Sequence, residues 1–284
     1  MNTIVPVALI ALDLDDTLLR SDLHISEANR EAIAAAEDEG IELVLASGRS
    51  YAAMKRYVDF LGLARPGNFL ICSNGAEILD AESGEARDRL FLSESFCHET
   101  AKNIEDHGFQ WQVYMDGKIW CSKLNPWAFL DERLSGQQAV EVTSREELFR
   151  GGQIKFVIPG EEERIAELYG EFSRFYKGKA EVVTSKPYFL EILPIGADKG
   201  SALRRLAAQL AVPMDAVMAV GDAMNDYSMV KAAGWGCAPA NALDAIKAIA
   251  RVISDKTNEE DAVADLIYSV ALRQPSRRGR PGKA

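Results

Sequence analysis

The sequence predicts an α/β protein: a parallel-sheet core into which an α+β unit is inserted. Three observations point there. Apolar runs ending in acids or small polar residues alternate with helix-forming stretches near both ends of the chain; the middle carries shorter strand-like pieces between amphipathic runs; and the first texture returns near Leu193. At 284 residues the chain is long enough for one large domain or a domain carrying an insertion. The expected division is a discontinuous core of residues 1-80 and 192-272, an inserted unit of residues 81-191 and a basic tail of residues 273-284.

Taken in order, VALIAL reads as a buried first strand that stops at Asp13, Asp15 and Asp16. SEANREAIAAAEDEG offers Ser26 as a helix N-cap and Gly40 as a stop, and IELVLAS follows as a second strand. A helix over Tyr51 to Leu61 leads to NFLICSNGAEI, a third strand that turns at Asn74-Gly75. Strand, helix, strand in this alternation builds a parallel sheet whose ligands bind at the carboxyl ends of the strands. In the middle, FQWQVYM, GKIWCSK, GQIKFVI, AEVVTS and YFLEIL read as an antiparallel sheet, with Glu94 to His107 and Glu161 to Tyr176 as its helices. DKGSALRRLAAQLA then reads as helix, AVMAVGD as strand, NDYSMVKAAG as helix and WGCAPA as a short strand, followed by two further helical segments.

The net charge of −11 argues against a general nucleic-acid binder, which would present a basic face to phosphates. RQPSRRGRPGKA, rich in Pro, Gly and basic residues, is expected to be disordered. Cys72, Cys97, Cys121 and Cys237 are far apart with no C-x-x-C pair, which fits a reducing cytoplasm. IVPVALIAL is too short to span a bilayer and no basic residue precedes it, so neither a signal peptide nor a membrane anchor is expected.

Asp13 and Asp15 stand two apart at the end of a buried strand and project to the same side. Like charges so placed call for a positive partner, and a second acid, Asp222, follows Gly221 at the end of another apolar run. Mg2+ is the natural partner, because it takes one or two carboxylates and leaves room for substrate phosphate oxygens. A calcium loop starting at Asp13 would need Gly at position 18 and Glu at position 24, where the chain has Leu18 and His24. Scattered histidines and unpaired cysteines argue against zinc. Ser47-Gly48, after the second strand, offers a hydroxyl and approachable N–H groups to an anion, and Lys199 opens another helix.

With these motifs in hand, the sequence resembles the haloacid dehalogenase superfamily. DLDDTL is similar to its first motif, LASGR to the second, DKG to the third and GDAMNDYSM to the fourth, in that order. The insertion between the second and third motifs is similar to the type IIB cap of the Cof-like sugar-phosphate phosphatases. SNGAEI, LEILPIGADKG and NEEDAVADLI resemble further marks of that branch, while CAPANA and Ala262 depart from it. The resemblance implies a Rossmann-like core with a type C2B cap. It also implies a Mg2+-dependent phosphatase that acts on a small phosphorylated metabolite.

By the same resemblance, Asp13 is the nucleophile that forms an aspartyl-phosphate, and Asp15 is the general acid and base, with a pKa kept near neutrality by its acidic neighbours. Asp13, the backbone carbonyl of Asp15 and Asp222 hold the metal. Ser47, Gly48, Lys199 and Asn225 bind the phosphoryl group, and Asp226 orients Lys199 or a metal-bound water. Asp16 is expected to face solvent and Thr17 to buttress the loop; Arg49 reads equally as a substrate contact or a surface salt bridge. Trp111, Tyr114 and Trp120 are expected in the core of the insertion. A phosphomutase and a non-catalytic phospho-acceptor are the alternative readings.

Overall fold

The computed structural model describes residues 5–272, so the expected basic tail of residues 273–284 lies outside the described residues. β1 (Leu9–Leu12), β2 (Glu42–Ala46) and β3 (Phe69–Cys72) run parallel, and β4 (Glu77–Asp80) and β5 (Ala86–Arg89) turn back antiparallel at one edge. A second sheet is then built from β6 (Gln112–Met115), β7 (Lys118–Cys121), β8 (Gln138–Glu141), β9 (Phe156–Pro159), β10 (Glu181–Lys186) and β11 (Phe189–Leu193). The chain returns to the first sheet with β12 (Val217–Val220), β13 (Trp235–Ala238) and β14 (Val252–Ile253). The strand orders are β14-β13-β12-β1-β2-β3-β4-β5 and β10-β11-β9-β6-β7-β8.

β1 is interior, with Leu12 in register with Val220 on one side and Leu45 on the other. Its residues alternate between two apolar layers, as a period of two requires. Ile10 and Leu12 pack with Leu43, Leu45, Ile33 and Met54. Leu9 and Ala11 pack with Val44, Ala46, Leu203 and Leu206. Burial on both faces is why these strands are continuously apolar rather than alternating. The covering helices begin where side chains cap them: Ser26 accepts the N–H of Asn29, Ser50 that of Ala53 and Asp198 that of Ser201. None of the described helices is long and apolar enough to cross a membrane.

The second sheet is amphipathic. Val113, Phe156, Ile158, Leu190 and Ile192 pack with Ile104, Leu168 and Phe172 of the helices Glu94–Asp106 and Glu162–Phe175. Tyr114, Phe189 and Glu191, alternating with them, line a cavity instead. The sheet assignments differ from the expected boundaries in two places. Ala86–Arg89 joins the first sheet, past residue 80, and Ile192 and Leu193 complete β11 of the second, past residue 191. ARDR is a largely exposed edge strand with no apolar face, so periodicity carries no sign of it.

Gly75 has φ +93°, and a Cβ there would lie 2.3 Å from the carbonyl oxygen of Asp198. Gly75→Ala is therefore expected to destabilise the fold by about 2 kcal/mol through strain and overpacking. Urea unfolding measures this, and an unchanged midpoint would contradict the close approach.

Candidate active site

Four neighbouring strands, β12, β1, β2 and β3, deliver their carboxyl ends to one place. Asp13 follows β1, Ser47 follows β2, Asn74 follows β3, and Asp222 to Asp226 follow β12. The ladder continues one step past the strands: the N–H of Asp13 donates to the Val220 carbonyl at 3.0 Å, and that of Ser47 to the Ile71 carbonyl at 2.9 Å. After Asp13 the chain makes a tight turn over Leu14–Leu18, with Asp16 in the left-handed region at φ 59°. Asp13, Asp15, Ser47, Gly48, Asp222 and Asn225 line a cavity of about 280 Å³. The other wall belongs to the second sheet and the helix Pro126–Ser135.

Lys199 and Asp226 are fully buried. Lys199 Nζ donates to Asp13 Oδ1 at 2.5 Å and to Asp226 Oδ1 at 2.6 Å. A cation in the first turn of a helix opposes the helix dipole, so these carboxylates must outweigh that arrangement. Burial by itself would lower the Lys199 pKa, but Asp13 and Asp226 overcome it and hold the ammonium above its ordinary value. Asp226 Oδ2 accepts the N–H groups of Asp222 at 3.1 Å and Ala223 at 3.0 Å, which fixes the loop after β12. The expected buttress is present too: Thr17 Oγ1 donates to Asp222 Oδ1 at 2.7 Å.

Carboxylate oxygens of Asp13, Asp222 and Asp226 lie within 4.8 Å of one another. Burial first, then the Asp226 charge, raises the Asp222 pKa to about 7 against the pull of Thr17. Burial and the neighbouring carboxylates also push Asp13 well above the usual range, Lys199 opposing them. Three buried acids with one ammonium leave excess negative charge. Among the described residues no donor reaches Asp13 Oδ2 or Asp222 Oδ2. A hard divalent cation such as Mg2+ fits this oxygen-only donor set.

Asp15 differs from the expectation. Burial raises its pKa, but Arg49 outweighs burial: Nε and Nη2 donate to the two carboxylate oxygens at 2.8 and 2.7 Å, and the net direction is downward. Its acidic neighbours do not hold it near neutrality, because this fork binds the ionised form. Arg49 is thus a largely buried ion pair rather than a surface salt bridge, and its Nη1 donates to the Leu134 carbonyl across the cavity at 2.8 Å. Asp16 is exposed and pairs with Lys186 at 3.0 Å. Ser47 Oγ accepts the Arg49 N–H at 3.2 Å. Trp111 is fully buried and Trp120 packs against the same apolar cluster, whereas Tyr114 faces the cavity and donates its hydroxyl to Asp131.

Sequence reasoning missed the polar junction between the sheets. Lys155 Nζ donates to the Gly48 carbonyl at 2.8 Å and to Glu191 Oε1 at 3.0 Å. Asn74 Nδ2 donates to Glu191 Oε2 at 2.8 Å, and Asn225 Nδ2 donates to Asn74 Oδ1 at 3.0 Å. Ser50 Oγ donates to Gln137 Oε1 at 2.5 Å nearby. One signal was available: Glu191 is the lone charge in the apolar run FLEIL, and a charge there must be paired. Asp131, within PWAFLDERLS, carries no such mark.

A family profile described as haloacid dehalogenase-like hydrolase matches residues 10–267. A 5-amino-6-(5-phospho-D-ribitylamino)uracil phosphatase of Bacillus subtilis is 33% identical over 267 residues, spanning 93% of this chain and 95% of that protein. A haloacid dehalogenase-like hydrolase from Bacteroides thetaiotaomicron superposes with a TM-score of 0.85 at 32% identity, covering 93% of this chain and 99% of its own. A subclass IIB sugar phosphatase shares the fold at a TM-score of 0.79 and 20% identity, covering 93% of this chain and 98% of its own.

Burial raises the pKa of Asp131 to about 6, with the Tyr114 hydroxyl and then Lys155 opposing and Glu191 reinforcing. A carboxyl raised in the fold contributes stability that is full below about pH 4 and is lost as pH rises through about 6. Relative to wild type, Asp131→Asn should therefore gain stability between pH 4.5 and pH 7.5 by about 2 kcal/mol. Urea unfolding at the two pH values tests this, and a difference independent of pH would show that Asp131 titrates normally.

Proposed function

The chain belongs to the haloacid dehalogenase-like hydrolase family, and on that premise we propose that it is a Mg2+-dependent phosphatase. Its substrates are small phosphomonoesters, sugar phosphates or related metabolites, cleaved through an aspartyl-phosphate on Asp13. The observation that carries this reading is the convergence of Asp13, Asp222 and Asp226 within 4.8 Å beside a buried Lys199. The relative that dephosphorylates a ribityl phosphate supports the substrate class.

Asp13 forms a bond from a carboxylate oxygen to phosphorus as the ester P–O bond breaks, which splits the hydrolysis into two displacements. Asp15 gives a proton to the departing alkoxide and later takes one from the water that releases phosphate from Asp13. Arg49 holds Asp15 in the ionised form, which serves the second displacement; for the first, the anionic substrate competes for the guanidinium and frees the carboxyl to carry a proton. Ser47, the Gly48 backbone, Lys199 and Asn225 hold the phosphoryl oxygens, and Asp226 fixes the Lys199 ammonium. Asp13, Asp222 and the backbone carbonyl of Asp15 would hold Mg2+, which when bound would supply positive charge against the carboxylates and the phosphoryl group. The unit built on the first sheet, β1 to β5 and β12 to β14, carries this machinery, and the unit built on the second sheet, β6 to β11, forms the cap that covers it and meets the leaving group. Four free, buried cysteines suit a reducing cytoplasm.

With p-nitrophenyl phosphate and Mg2+ the protein is expected to release phosphate, to lose that activity in EDTA and to regain it on adding Mg2+. Asp13→Ala should abolish turnover; its retention, or an inactive wild type, would overturn the reading. Asp15→Asn should lower kcat by about 10²–10⁴-fold through loss of proton transfer while still binding phosphate esters. A near-normal kcat in that variant would remove Asp15 from its role.

A further inference from the structure

Asp131, Leu134 and Ser135 of the helix Pro126–Ser135 all line the cavity, and their spacing puts them on one helix face. The Leu134 carbonyl takes the Arg49 guanidinium that also grips Asp15, so this face looks across the cavity at the end of β1. Asp131 is 5% exposed. Its Oδ2 accepts the Tyr114 hydroxyl, and among the described residues no donor reaches Oδ1. The other charged groups on the cap side of the cavity are engaged: Lys155 by Gly48 and Glu191, Glu191 by Lys155 and Asn74, and Lys186 by Asp16. Lys155 also sits over the Tyr114 ring, 5.0 Å from its centroid, which fixes the phenol that points at Asp131.

A buried carboxylate with one oxygen held and the other without a donor is a hydrogen-bond acceptor awaiting its partner. We propose that Asp131, oriented by Tyr114, accepts a hydrogen bond from a hydroxyl of the leaving group and so selects phosphate esters of sugars and polyols over esters whose leaving group has no donor. This rests on the reading of the cavity as a phosphomonoester site. The raised pKa of Asp131 agrees with it: the group is kept charged at neutral pH at a cost to stability, as side chains retained for binding often are.

The test is binding rather than turnover, by calorimetry with Mg2+ in an Asp13→Asn background, using ribitol 5-phosphate and glucose 6-phosphate against phenyl phosphate. Asp131→Ala should weaken Kd for both polyol esters by about tenfold to a hundredfold, the range for a hydrogen bond to a charged group, and leave phenyl phosphate nearly unchanged. Tyr114→Phe should act in the same direction with a smaller factor. If the alanine variant does not fold, Asp131→Asn, close in shape and with a weaker acceptor, is expected to show the same discrimination reduced in size. Equal weakening for all three esters, no weakening, or no binding of either polyol ester by the Asp13→Asn parent overturns the proposal. Selective binding that depends on Asp131 in a protein whose wild type releases no phosphate would leave this proposal standing and overturn the phosphatase reading. Normal turnover of p-nitrophenyl phosphate without that dependence would do the reverse.

Discussion

The ammonium of Lys199, wholly buried between Asp13 and Asp226, is the contact on which the rest of the site depends. An unpaired charge in that environment would carry a penalty of several kcal/mol, and so would each carboxylate without it. Lys199 begins a helix whose dipole opposes it, and only the convergence of β1 with the loop after β12 makes the position tolerable. The same Asp226 that holds Lys199 also accepts the N–H groups of Asp222 and Ala223. One carboxylate therefore sets both the cation and the acidic loop. The remaining excess of negative charge around Asp13 and Asp222 suits a divalent cation.

Around this centre the two sheets meet through polar groups beside a small apolar cluster, in which Ala76 and Leu90 of the first pack with Val183 and Leu193 of the second. Lys155 and Glu191 reach from the second sheet to Gly48 and Asn74 of the first, and Arg49 reaches back to Leu134. Each of these contacts involves a residue that follows β2 or β3 at the cavity, so the placement of the cap and the geometry of those strand ends are one mechanical problem. Arg49 makes the point most directly, since one guanidinium touches both the candidate proton-transfer residue and the cap. A substrate anion that draws Arg49 away would alter both at once. Apolar packing alone could not have tied the state of Asp15 to the position of the cap.

Asp131 belongs to a different economy of interactions. It lies on a helix whose Ala128 packs with Ile119, Cys121 and Ala139 in a small apolar cluster. Its carboxylate instead lines the cavity and accepts the Tyr114 hydroxyl. The wall that bears it presents hydrogen-bonding and aromatic groups together, Gln137 and Ser135 beside Tyr114 and Tyr188, which suits a ligand with hydroxyls on one face and carbon on the other.

Local signals in the sequence determined the parallel sheet, the capped helices and the acids at strand ends, because hydrophobic period, N-cap chemistry and strand termini are encoded within a few neighbouring residues. Ser26, Ser50 and Asp198 cap their helices by contacts only three residues long. The edge strand Ala86–Arg89 escaped the same reading because it buries no face. Tertiary structure alone decided that Arg49 would grip Asp15, that Glu191 would join Asn74 to Lys155, and that Tyr114 and Asp131 would face the cavity. Those pairings join residues far apart in the chain, and their geometry follows from how one twisted sheet docks on another, which no local pattern of side chains specifies.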